Sequence, residues 1–332
     1  MLDGDDRTLR AFGPGEFFSR RPVAEGAVDA TVRASWTESL AFDDAAGTLV
    51  LEGDVQGEHR PEPNTVETFR GDYAEALLAT AATEEPGPGA PSPGEPGTES
   101  APTERAVQRL VLLGGERPAR VESRVYADAA HSRPLRLLRL DAGVIDASET
   151  EGVLHTPASG SIVVLDQQPG TSDDQRARAL LGWQDSMRYN RVTGEAVLRG
   201  DAQVTHQRLS DGEVTQIDGQ ELRVTLADGD GQAAESAAAA VVSRVPSEVR
   251  SARAFGRVYA RSGEQEVRAG ELLYDAERGT ARALAAADGV VTFLDPARAA
   301  PVTAAEILWD LVRDRIDIIR PGGVSGGVTR DR

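Results

Sequence analysis

Two serines, two histidines and two aspartates occupy matched positions in a segment that the chain carries twice. Trp36 to His59 reads WTESLAFDDAAGTLVLEGDVQGEH, and Trp183 to His206 reads WQDSMRYNRVTGEAVLRGDAQVTH. Ser39 and Ser186 carry the hydroxyl of a nucleophile, but neither has a His or an acid at the spacing that would activate it. His59 and His206 are single imidazoles one long repeat apart. A metal centre needs three or four ligands, and the chain has only 4 His in all. Asp54 and Asp201 offer a carboxylate pair of the kind used in glycoside hydrolysis. Each alternates with Glu52, Gln56 or Arg199, which is the pattern of a solvated face. The run Arg133-Pro-Leu-Arg136-Leu-Leu-Arg139-Leu140 is the one local basic stretch. Arg133, Arg136 and Arg139 suit lipid phosphates at a rim, and equally suit the exposed edge of a strand. No catalytic set, metal site or cofactor is expected from these residues.

Composition narrows the classes further. The chain has 332 residues, a net charge of −18 and a sequence pI near 4.7. Nucleic acid and anionic bilayers call for basic patches, so neither is an expected partner. Every basic residue is Arg, and Cys is absent, which removes disulfides and thiolate chemistry. No run approaches 18 apolar residues, the length of a spanning helix. The first residues, MLDGDDRTLRAFGPGEFF, are acidic and lack the order of a signal peptide. Arg10-Ala-Phe-Gly13 returns as Arg253-Ala-Phe-Gly256, late in a repeat. Residues 1–24 therefore read as the tail of a preceding repeat, and the chain as part of a longer one.

The elements that must position these side chains are strands. In Leu49 to Gly57 the odd positions are Leu49, Leu51, Gly53, Val55 and Gly57, against Val50, Glu52, Asp54 and Gln56. The second copy sets Ala196, Leu198, Gly200, Ala202 and Val204 against Val197, Arg199, Asp201 and Gln203. Strict alternation of this kind is a half-buried strand. Asp43 to Gly47 and Asn190 to Gly194 read as hairpin turns ending on Gly. The long unit covers residues 25–166 and again 176–330. Shorter copies are nested inside it: Ala269 to Asp275 returns as Ala304 to Asp310. Trp36, Trp183 and Trp309 are placed in equivalent strand slots as structural aromatics. Residues 83–104, rich in Pro, Gly and Glu, and residues 227–248, with an Ala-rich core that suits a short helix, read as insertions at one place in both units. The expected fold class is all-β, with antiparallel hairpins stacked in a solenoid-like body.

The signature Trp-x-[Glu/Asp]-Ser-[Leu/Met]-x-[Phe/Tyr]-[Asp/Asn]-x3-Gly, followed by an alternating strand ending Gly-Asp-[Val/Ala], resembles the OstA-like (organic solvent tolerance) repeat of the lipopolysaccharide-transport bridge proteins. It stands at Trp36 to Val55 and Trp183 to Ala202, with looser copies at Ala269 to Val290 and Ala304 to Val324. The resemblance implies an open β-jelly roll or β-taco in the periplasm. Such a module holds acyl chains in a groove, stacks end to end with others by strand pairing, and serves outer-membrane biogenesis without catalysis. Its candidate groove residues here are Leu49, Leu51, Gly53, Val55, Ala196, Leu198, Gly200, Ala202 and Val204. The two glycines are expected to widen the slot. The same alternation describes a dry, self-filled core, so a structural or adhesive β-solenoid that binds proteins stays open as the alternative. A carbohydrate-active enzyme on a β-helix is the third reading, without a site to carry it.

Overall fold

The alternating segments form strands throughout. The computed structural model describes residues 2–3, 7–21, 30–79, 107–128, 130–131, 134–167, 177–210, 212–226, 249–287, 289–298, 300–313 and 315–321. Both insertions, residues 83–104 and 227–248, lie outside them. Among the described residues there are 23 strands and no helix. In chain order they are β1 Leu2–Asp3, β2 Thr8–Phe12, β3 Gly15–Arg21, β4 Ala30–Trp36, β5 Ser39–Asp43, β6 Thr48–Arg60, β7 Thr65–Leu78, β8 Val107–Leu113, β9 Ala119–Tyr126, β10 Pro134–Ala142, β11 Val144–Ser148, β12 Val153–Thr156, β13 Gly160–Asp166, β14 Ala177–Trp183, β15 Ser186–Asn190, β16 Glu195–Arg208, β17 Val214–Leu226, β18 Val249–Ser262, β19 Gln265–Asp275, β20 Thr280–Leu284, β21 Val291–Leu294, β22 Val302–Asp310 and β23 Arg315–Pro321.

Strands β6, β7, β16, β17, β18 and β19 run 11 to 14 residues, about twice the usual length. Each is two strands joined at a corner, and its halves belong to different ladders. The C-terminal half of β6 pairs with β4 and its N-terminal half with β5; β16 treats β14 and β15 the same way. One ladder runs β3–β4–β6–β7–β9–β10–β13–β14–β16–β17–β18–β19–β21–β22. The other runs β2–β5–β6–β7–β8–β11–β12–β15–β16–β17–β18–β19–β20–β22–β23. All of these pairings are antiparallel. Because β7 and β16 sit in both ladders, ten strands close into a ring: β7, β8, β11, β12, β15, β16, β14, β13, β10 and β9. The remaining strands extend this barrel on both sides. The β13–β14 pairing carries the sheet without a break from one long unit to the next.

The core is two facing rows of side chains. In the first ladder, Phe17, Ala34, Gly57, Phe69, Val121, Leu140, Ile162, Leu181, Val204, Ile217, Ala260, Val267, Phe293 and Val302 are successive cross-strand partners. At about 4.8 Å per strand this apolar row is roughly 60 Å long. Large residues face small ones: the Phe69 ring lies where a side chain on Gly57 would have to go. In the second ladder, Phe42, Leu49, Ala76, Leu110, Ala147, Leu154, Tyr189, Ala196, Val224, Ala252, Tyr274, Ala281 and Trp309 form the matching row. Trp309 therefore belongs with Phe42, Tyr189 and Tyr274. This corrects its expected equivalence to Trp36 and Trp183, which instead sit in the first ladder just before a corner. There each Trp faces a glycine across the strands, Gly15 and Gly160 respectively, and the bare glycine makes room for the ring.

The corners have a fixed chemistry. Gly53-Asp54, Gly200-Asp201 and Gly256-Arg257 all have positive φ, at 78° and 38°, 77° and 43°, and 70° and 48°. These pairs add one residue to β6, β16 and β18 relative to the partner strand, a β-bulge that bends the strand. Gly53 and Gly200 are thus bend residues; a Cβ at Gly200 would also collide with Asp185. Gly200→Ala is expected to destabilise the fold by about 1–3 kcal/mol. Asp201→Gly, one residue on, relieves a left-handed non-glycine residue and is expected to change stability by less than about 1 kcal/mol. Urea unfolding of the two variants checks the contrast, and equal losses would remove the corner argument.

Candidate functional site

The candidate groove residues fall between the two ladders. Leu51 and Leu198 end the second-ladder half of their strands, and Val55 and Ala202 begin the first-ladder half. Leu198, Val55 and Ala202 are fully buried; Leu51 and Ala196 are nearly so, and Leu49 and Val204 pack half-buried against them. Gly53 and Gly200 stand apart from this set. They do not widen a slot, because the bend places them at the corner. The interior is filled in this structure. At one end the two rows touch directly, with Phe293 edge-on to Trp309 at 5.4 Å between ring centroids.

The arginines of the basic run divide. Arg136 faces inward at the far edge of the first ladder, opposite Val125 and Asp166. Arg139 faces outward, 3.0 Å from Asp141, which also accepts a 2.5 Å hydrogen bond from Arg120. Arg133 lies outside the described residues. Alternation explains the split: positions three apart on a strand point to opposite faces.

Sequence reasoning missed two polar stretches in the row beside the apolar one, on either side of Leu138, Val164 and Ala179. His59, Glu67, Ser123, Leu138, Val164, Ala179, His206, Thr215, Ser262 and Gln265 are successive partners on the inner face of the first ladder. His59 Nδ1 lies 2.7 Å from Glu67 Oε2, with both side chains largely buried. Ser262 donates to Glu213, and Arg208 pairs with the same carboxylate. The second ladder presents Phe42, Leu49, Tyr189 and Tyr274 at the corresponding distance from the corner. The interior is thus apolar along one lip, while the other is polar at His59–Glu67–Ser123 and at His206–Thr215–Ser262–Gln265 and apolar between them. The matched His59 and His206 were the available signal, but strand order was needed to put them in one row.

The remaining polar pairs are local. Ser39 donates to Glu52 at 2.6 Å, and Ser186 faces Arg199 across the strands. Asp54 accepts from Arg117 at 2.9 Å. Among the described residues no group of three His, Asp or Glu is placed to hold a metal. Two cavities, of about 620 and 260 Å³, open on the outer surface among polar side chains. Of the nine groove candidates only Gly200 lines one of them. The terminal strands carry exposed apolar side chains: Phe12, Phe17 and Phe18 at one end, Ile318 and Ile319 at the other.

Desolvation, and then Arg208, hold the His206 imidazole below its ordinary value of 6.5, against a smaller opposing pull from Glu213. The unfolded chain therefore takes up this proton first as pH falls. The stability tied to His206 is complete above about 6.5, declines as pH drops below it, and levels off once the folded protein also protonates. The ring is partly exposed, so the effect is modest. His206→Gln is expected to flatten that part of the profile in urea titrations between pH 7 and pH 5; an unchanged slope would assign the dependence elsewhere. No family model, curated protein or solved structure matches this chain.

Proposed function

We propose that this chain is a non-catalytic lipid-handling repeat module that holds acyl chains between its two ladders. The observation that carries the reading is the apolar row that crosses fourteen strands without a polar interruption, from exposed Phe17 on β3 to Val302 on β22. A conduit needs an interior of this continuity, and each CH2 buried in it contributes about 0.8 kcal/mol. The side chains that fill the interior are mostly Leu, Ile, Val and Ala, which part more readily than interlocked aromatics. Acyl chains enter by separation of the ladders along the lips, with the polar lip beside the headgroup. Further modules join at β3 and β23, whose outer edges have no partner strand among the described residues. The OstA-like signature supports an open jelly-roll or β-taco geometry and a place in the periplasm during outer-membrane biogenesis.

A second reading has its own support. The Phe293–Trp309 contact and the fully buried Leu198 suit a permanently filled solenoid that binds proteins through its ends. The two readings part in one experiment. A photo-crosslinking residue at Leu198 in a membrane-containing extract is expected to capture lipid, while the same residue at Glu52 on the outer face is not. Equal yields at the two positions, or none at Leu198 in a variant that unfolds like the parent, would favour the filled solenoid.

A further inference from the structure

Among the described residues the sheet runs out at β3 and at β23, and these two edges are not alike. β3 pairs with β4 from Gly15↔Trp36 to Arg21↔Ala30 without a shift of register. β23 pairs with β22 through two shifts, one on each side of Glu306, and finishes on Pro321. Irregular pairing and proline blunt an edge, whereas a regular edge with exposed apolar side chains invites another strand. The edges also belong to different ladders, β3 to the first and β23 to the second. Pairing β3 of one molecule with β23 of another would join the first ladder of one to the second ladder of the other, and neither row would continue.

What β3 presents is complementary to itself. Every residue from Glu16 to Arg20 is exposed, with Phe17 at 47% and Phe18 at 59%. Phe17 and Ser19 lie on the inner face, and Glu16, Phe18 and Arg20 on the outer one. Two such strands can pair antiparallel only with inner side chains opposite inner ones, because a slip of one residue exchanges the faces. A centre on Phe18 sets Phe18 against Phe18, Phe17 against Ser19, and Glu16 against Arg20 on both flanks. A centre on Phe17 sets Glu16 against Phe18, and a centre on Ser19 sets Phe18 against Arg20; neither gives Glu16 a cation across the strands. Arg33 of β4 already reaches Glu16 at 2.7 Å. A second guanidinium from the opposite strand completes the arrangement seen at Glu306, which accepts from Arg282 of β20 and Arg320 of β23, one on either side. We propose that two molecules of this chain join through β3, in a two-fold antiparallel pair centred on Phe18, with Glu16 of each against Arg20 of the other. The first ladders then run on as one sheet through the two-fold axis. This rests on the reading of β3 as a joining edge and takes nothing from the lipid.

The test is sedimentation equilibrium of the full chain with two charge reversals. The parent is expected to dimerise at about 100 μM or below. Glu16→Arg and Arg20→Glu each turn two attractive cross-strand pairs into two repulsive ones, and each is expected to weaken the dimer at least about tenfold. An equimolar mixture of the two variants sets opposite charges against each other again and is expected to recover the dimer as a heterodimer. That recovery excludes misfolding as the cause of the single losses. Ile318→Lys on β23 is expected to leave the dimer unchanged. A monomeric parent, or a mixture that stays monomeric, would overturn the proposal. Loss of the dimer in Ile318→Lys would also overturn it, by placing the contact at the other edge. Lipid capture at Leu198 is read separately: a monomer that still captures lipid sinks the pairing alone, and a dimer that captures none sinks the lipid reading alone.

Discussion

The fold depends on how a strand turns a corner without losing its inside. A regular strand sends alternate side chains to opposite faces, so one residue more or fewer at a bend decides whether the inward positions keep or switch their parity beyond it. This chain uses both outcomes. In β6, β16 and β18 the Gly-Asp or Gly-Arg pair adds a residue, and inward positions keep their parity: Leu51 and Val55, Leu198 and Ala202, Ala254 and Val258 are all buried. In β7, β17 and β19 the corner is passed without the extra residue and the parity switches. Phe69 and Gly71 face inward before it, Ala74 and Ala76 after it. The two kinds of strand alternate where they pair, so the β18 bulge meets a plain strand on each side, and those of β6 and β16 meet one on one side and two separate strands on the other. Glycines at 71, 219 and 270 sit opposite the bulges, where neighbouring backbone leaves no space for a side chain at Gly71 and Gly270 and only a tight fit at Gly219.

Once the corners are set, packing follows from size. The first-ladder row sets Phe69 against Gly57 and Leu181 between Ile162 and Val204; the second sets Tyr189 between Leu154 and Ala196 and Tyr274 between Ala252 and Ala281. Large next to small lets facing layers interlock near native density. The corner layer is built from Ala119, Ala142, Gly160, Ala202 and Gly219, and into that layer Trp183 fits, donating its indole N–H to Ala158 O at 2.8 Å. The C-terminal end is tied differently. Glu306 is almost fully buried and accepts from both Arg282 and Arg320, at 2.7 and 2.6 Å, so β20, β22 and β23 share one carboxylate. Removing either guanidinium from a buried carboxylate costs more than an exposed pair contributes.

Much of this was legible in the residues. The alternation around Leu51 and Leu198 identified strands and their buried faces, and Gly47 and Gly194 marked hairpin turns that do have positive φ. The doubled segment gave the equivalence of Trp36 with Trp183 and of His59 with His206. The corner was not legible, because Leu49, Leu51, Gly53, Val55 and Gly57 keep period two straight through it. Only the partner strand reveals the bend, where the pattern shifts phase between Gly71 and Ala74. For the same reason Gly53 and Gly200 looked like members of the inner face. Trp309 was misplaced because local resemblance to Ala269–Asp275 fixes its neighbours along the chain, whereas its row is set by pairing with Ala281. Partners across a sheet are chosen by topology, and a pattern along one strand carries no information about them.

The outer surface then constrains how the body can meet others. Its arginines are largely used within the sheet: Arg253 on Glu271, Arg199 and Arg223 on Glu221, Arg109 on Asp146. Cross-strand pairs of this kind add little stability singly, but they neutralise the faces locally. The terminal strands offer exposed Phe17, Phe18, Ile318 and Ile319 beside edges with backbone groups to pair. A strand paired to β3 would lengthen the first-ladder row past Phe17, and one paired to β23 would lengthen the second-ladder row past Trp309 and Ile316.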